Sequence, residues 1–111
     1  MQAAPQLSTQ DLIAALWQRN QPQILERLAL LDDAAAASGS GVLSPALQRE
    51  AAGAAHKLAG SLGMYGFHEG TRMARELEQH LEAPAVHSAT LTALTAELRQ
   101  SVFPNPKITS F

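Results

Sequence analysis

Cysteine is absent from these 111 residues, so neither a disulfide framework nor a thiolate zinc site can hold the chain together. Aromatic residues make up 5%, with one Trp and one Tyr, which leaves any core to aliphatic side chains. Charged residues stand at 16% and the formal net charge is -2, with no lysine or arginine run. The electrostatic footprint of a nucleic-acid binder is therefore missing. No apolar run approaches the ~20 residues that span a bilayer, and the first residues lack the basic-then-apolar order of a secretory signal. These absences lead to the expectation of a cytoplasmic chain with neither membrane nor nucleic acid as partner.

What is present is alanine, leucine and punctuation for helices. At 46% hydrophobic, the chain has enough apolar matter for one core and one domain. Ser8 with Asp11 three residues on resembles a capping box, and predicts a short extra N-terminal helix to about Arg19 with Leu12, Ile13, Leu16 and Trp17 inward. Asn20-Gln21-Pro22 is expected to break it. A second helix then runs to about Ala37, burying Ile24, Leu25, Leu28, Leu31 and Ala35, and Ser38-Gly39-Ser40-Gly41 makes a turn. Ser44-Pro45 opens a third helix, whose seam is Leu47, Ala51, Ala54, Leu58 and Leu62. Gly63 to Gly66 ends or bends it. A fourth helix, from about Phe67 to Leu81, turns Phe67, Gly70, Ala74, Leu77 and Leu81 inward; after Pro84 a fifth runs from Ser88 to Val102 through Leu91, Leu94 and Leu98. The expected fold is all-α: an up-and-down antiparallel four-helix bundle with the short extra helix, spanning 8–103, between a flexible leader (1–7) and a C-terminal tail (104–111).

One residue breaks the pattern of ordinary surface chemistry. At about 100° per residue, His56 points roughly 150° from the centre of its seam, so it is expected to be exposed. Positions three, four and seven residues away share its face. They hold Ala52, Gly53, Ala59, Gly60 and Gly63, where a solvated face normally carries long charged side chains. Glycine inside a helix costs on the order of 1 kcal/mol against alanine, so such a face weakens its own helix. Clearance around one imidazole, cut for an approaching macromolecule, explains the expense. His68, His80 and His87 lack this clearance and read as surface bystanders. Glu76 and His80 lie one turn apart, but no second pair converges on them, so no metal site is expected.

The run His56-Lys57-Leu58-Ala59-Gly60-Ser61-Leu62-Gly63-Met64-Tyr65-Gly66-Phe67 resembles the active-site signature of histidine-containing phosphotransfer (HPt) domains. His56, Leu58, Gly60, Gly63, Gly66 and Phe67 carry the match, and the helical layout from about Ser8 to Val102 agrees with it. The resemblance implies that His56 accepts a phosphoryl group from a receiver aspartate or a kinase and passes it to a response-regulator receiver. It implies a phosphocarrier without independent turnover, and a transient docking face made of Ala52, Gly53, Ala59, Gly63 and Met64. The expected partners are a response-regulator receiver domain and a sensor or hybrid histidine kinase. No cofactor is expected on this chain, Mg²⁺ belonging to the partner receiver, and a monomer is expected.

Chemically the residues suit that role. A neutral imidazole is a competent nucleophile near pH 7, and phosphoryl transfer asks mainly for positioning and charge compensation. Gly60, one turn along, leaves room beside the ring. Relatives commonly carry Lys three residues after the histidine, where this chain has Ala59; Lys57 and Arg75 are the two candidates to steady the phosphoryl oxygens. Glu78 falls where some relatives place a carboxylate that holds the imidazole. Two rival functions stand beside this one. A non-phosphorylated adaptor would use the same helix face, and a small helical hydrolase would need a supporting base and oxyanion donor that the sequence does not display.

Overall fold

A computed structural model describes residues 8–104, and these form four α-helices joined by short connections. Helix α1 spans Thr9–Gly39, α2 Pro45–Leu62, α3 His68–Glu82 and α4 Ser88–Val102, with a 3₁₀ turn at Gly63–Tyr65 between α2 and α3. Local chemistry sets most boundaries. Ser8 and Asp11 make a reciprocal capping box, the Ser8 hydroxyl accepting from the Asp11 N–H at 3.0 Å. The Ser44 hydroxyl accepts from the Leu47 N–H at 3.0 Å, and Pro45 takes the first helical position, where no N–H is needed. Gly66, at φ +87°, lets the chain reverse into α3, while the Phe67 N–H returns to the Leu62 carbonyl.

Two sequence expectations are corrected here. The short extra N-terminal helix and the helix after it are one continuous α1, with Pro22 inside it. Proline removes one N–H and crowds the preceding turn, a cost of ~3 kcal/mol in a helix interior. Pro22 and Gln18 are both exposed, so water can reach the carbonyl that Pro22 leaves unpaired, and packing on either side carries the helix through. Leu12, Leu16 and Leu25, expected inward, are 50%, 40% and 42% exposed. Leu25 lies about 100° around the helix from buried Ile24, off the inward stripe; for Leu12 and Leu16 the reason is length. At 1.5 Å per residue α1 is about 46 Å long, whereas the 15–18 residues of its neighbours reach about 22–27 Å, so its first turns find nothing to pack on. The expected leader and all but Pro104 of the expected tail lie outside the described residues.

Each helix packs on its sequence neighbours, and α1 against α4 completes the ring. The core is aliphatic: Ile24, Leu28 and Leu31 from α1, Leu58 and Leu62 from α2, Leu77 and Leu81 from α3, and Leu91 and Leu98 from α4 are each at most 1% exposed. Each such side chain contributes ~1.5–3 kcal/mol on leaving water. The aromatics among the described residues gather at one end, where Trp17 lies 4.9 Å from Phe67, 5.1 Å from Tyr65 and 5.5 Å from Phe103 between ring centres. Asn20 donates to the Tyr65 hydroxyl at 2.7 Å beside them.

The α2–α3 pair positions everything that follows. Gln48, in the first turn of α2, donates to the Leu81 carbonyl at the end of α3 at 2.6 Å. Gly63, at the end of α2, faces Thr71 near the start of α3. The two helices therefore run in opposite directions. Gly70 permits their close approach, since a Cβ there would stand 3.1 Å from Leu62 Cδ1 and 3.3 Å from Val102 Cγ2.

Candidate functional site

His56 lies on the outer side of α2, flanked in sequence by buried Ala55 and by exposed Lys57. Its side chain is 73% exposed, yet one edge is held: Nδ1 stands 2.9 Å from Oε2 of Glu78 on α3. An ionised carboxylate only accepts hydrogen bonds, so the nitrogen facing it carries the hydrogen. That fixes the tautomer with a bare lone pair on Nε2. Glu78 itself is 22% exposed, and its carboxylate is partly shielded from water at the helix interface. The arrangement is an oriented imidazole whose Nε2 makes no hydrogen bond among the described residues.

Space around the ring is real and serves nothing inside the bundle. A Cβ on Gly53 or on Gly60 would meet no atom within 4 Å. On Gly63 it would make an ordinary contact with Thr71 Oγ1 at 3.4 Å. Met64 is 58% exposed at the end of the same face, and Ala52 and Gly53 are half-buried. Ala59 differs from expectation: at 7% exposure it belongs to the core wall, because α3 packs over it, and its side chain offers a docking partner almost nothing.

Four cations stand on α2 and α3: Arg49, Lys57, Arg72 and Arg75. Arg72 is committed to Glu69 at 2.7 Å and also bonds Glu76. That hydrogen bond and charge hold the Glu69 carboxyl below the usual range and push the guanidinium up. Lys57 and Arg75 are both exposed and form no ion pair among the described residues. They open on different spaces. Lys57 lines a cleft with His56, Arg49 and Gly53, while Arg75 lines one with His56, Ala59 and Gly60.

The remaining histidines lie elsewhere. His80 Nε2 accepts from the His87 N–H at 3.0 Å in the α3–α4 connection, a contact no sequence pattern announced. Among the described residues no three His, Asp or Glu side chains gather as a metal would require, and no helix is long and apolar enough to cross a membrane. Across α2 and α3 the structure thus brings His56 together with Glu78, and with Lys57, Gly60 and Arg75 around them.

Comparison with known proteins bears on this geometry. The family model described as Hpt domain matches residues 11–102. The chain is 31% identical over 105 residues to Protein RcaC of Microchaete diplosiphon, an alignment that covers 88% of this chain and 16% of that protein. This chain therefore spans about one-sixth of its relative's length. No solved structure matches it.

Proposed function

The chain belongs to the Hpt domain family, which serves phosphotransfer in two-component signalling, and from that premise we propose that it is a phosphocarrier acting through His56. The observation that carries the proposal is the exposed ring of His56, held at Nδ1 by Glu78 with open space over Gly60. The Nε2 lone pair attacks the phosphorus of a receiver's aspartyl phosphate. The N–P bond forms as the P–O bond to aspartate breaks, and the departing carboxylate keeps the electron pair. The ring retains its Nδ1 hydrogen and so becomes cationic, and the Glu78 carboxylate compensates that charge. Transfer to a second receiver reverses the step. Donation by a kinase domain differs only in the donor.

In this proposal Gly60 gives access, and one exposed cation beside the ring offers positive charge to the phosphoryl oxygens, Lys57 and Arg75 being the two candidates. The docking face runs along Ala52, Gly53, Gly63 and Met64. A partner meeting so small a face buries on the order of 1,200 Å² or less, as a contact that must release demands. The bundle is of the up-and-down antiparallel kind, and the protein works as a cytoplasmic monomer without turnover of its own. Its partners are a response-regulator receiver and a sensor or hybrid histidine kinase, with Mg²⁺ held by the receiver.

The test is transfer itself. Receiver domains loaded with radioactive phosphate are mixed with the purified chain and with His56→Gln. The expected result is an acid-labile label on the wild type and none on the variant. Label that persists on His56→Gln overturns the assignment, and stable binding without any label favours an adaptor acting by occupancy.

A further inference from the structure

We infer that Arg75, rather than Lys57, is the side chain that holds the phosphoryl oxygens on His56, a role that rests on His56 being the carrier. The need comes from charge. A phosphoryl group on Nε2 arrives across the ring from the Glu78 carboxylate, and Glu78 and Glu82 both line the space beside Gly60. Two carboxylates repel the incoming oxygens, so the pocket works only with a cation in it. The space between His56 and Gly60 is an open cavity of about 420 Å³, and among the described residues Arg75 is the one Lys or Arg on its wall.

Register explains why Arg75 is there. His56 pairs across the helices with Glu78, and Gly63 lies against Thr71. Because α2 and α3 run oppositely, stepping back three residues from Glu78 to Arg75 matches stepping forward three from His56 to Ala59. Arg75 therefore starts ~4.5 Å along α3 from Glu78, level with Ala59 and beside the bare backbone of Gly60. Nothing at Gly60 obstructs it, and its guanidinium has no carboxylate partner among the described residues, unlike that of Arg72. A planar fork of donors suits phosphoryl oxygens, and an unpaired one gives up no ion pair to bind them. Lys57 follows His56 directly, projects about 100° around the helix, and lines a second cleft, which also borders His56, Glu78 and Glu82, on the side of Arg49 and Gly53 and away from Gly60. It sits well for a partner's surface and poorly for the phosphoryl group.

A small donor separates these roles, because it has no docking surface. With phosphoramidate, Nε2 forms the N–P bond while the bond from phosphorus to the donor's ammonium nitrogen breaks, and neutral ammonia leaves with the electron pair and its own three hydrogens. Labelling is followed by intact-mass spectrometry and assigned to His56 at the peptide level. The expected result is a rate about tenfold lower for Arg75→Ala. Arg75→Lys should stay within about threefold of wild type, and Lys57→Ala within about twofold. Arg75 is exposed, so melting curves should not separate the variants, which removes a folding explanation. The inference is overturned by an Arg75→Ala rate within about twofold of wild type. It is equally overturned if Arg75→Lys falls as far as the alanine variant, or if Lys57→Ala does. A wild type that takes no label at His56 sinks the carrier proposal itself, a different failure from any of these.

Discussion

Replacing Gly60 by alanine should make this protein more stable and a larger residue there should make it a worse carrier, and that opposition is the sharpest test of what the small residues are for. Gly60 lies within α2, and a Cβ added there meets nothing within 4 Å. The only local effect left is helix propensity and lost chain entropy, worth about 0.5–1 kcal/mol in favour of alanine. For a domain of this size 1 kcal/mol moves the melting temperature by about 4–8 °C, so a rise of roughly 2–6 °C is expected. Gly70 supplies the control. There a Cβ would press on Leu62 at 3.1 Å and Val102 at 3.3 Å, and overpacking of about 1–3 kcal/mol outweighs the same gain. Gly70→Ala should therefore melt lower. Gly60→Leu should fold, since its first side-chain atom meets open space, yet lose at least about tenfold in transfer from a receiver whose approach it blocks. Circular dichroism melts and the transfer assay on the same samples decide the matter. If Gly60→Ala melts below the wild type, the bundle itself needs that glycine. If Gly60→Leu transfers at the wild-type rate, the space serves no partner.

Removing the carboxylate in Glu78→Ala frees Nδ1 and leaves the phosphorylated ring uncompensated; labelling of His56 by phosphoramidate should slow about tenfold, with Glu78→Gln between the two. Glu69 gives a pH prediction of definite sign. Arg72 lowers its carboxyl in the folded state, so its stabilising effect is complete above the ordinary carboxylate value and fades as pH falls through the lowered one. Glu69→Gln should thus melt slightly below wild type at pH 7, the gap closing in strong acid and shrinking in high salt, as for any exposed pair.

Much of this was legible in the sequence because it is local. Capping at Ser8 and at Ser44-Pro45 is fixed by residues within one turn, and the structure starts helices at both places. The inward stripe Ala51, Ala54, Leu58, Leu62 is buried as its spacing requires, and His56 lies on the far side of it. Pro22 misled because a proline's effect depends on which way its ring faces and on what lies beyond it. Exposed at the surface of a helix anchored by Trp17 before it and Ile24 after it, the residue bends no boundary into being. Leu12 and Leu16 misled for a related reason: periodicity shows which face of a helix is apolar, and says nothing of whether a neighbour extends far enough to cover it.

The site itself divides along the same line. Everything α2 supplies, the imidazole and the bare backbone beside it, lies within one short run and shows in the sequence. Everything α3 supplies depends on pairing across 22 residues, the separation of His56 from Glu78. No spacing rule covers that distance, because it is set by the turn at Gly66 and by how closely Gly70 lets the helices approach. Carboxylate and guanidinium on α3 occupy the site only in one register. Sliding α3 by a single residue would turn Glu78 about 100° from the ring. The small residues at the end of the α2–α3 hairpin thus support the chemistry at a distance: Gly70 and the Gly63–Thr71 contact fix the alignment that lets two helices share one imidazole.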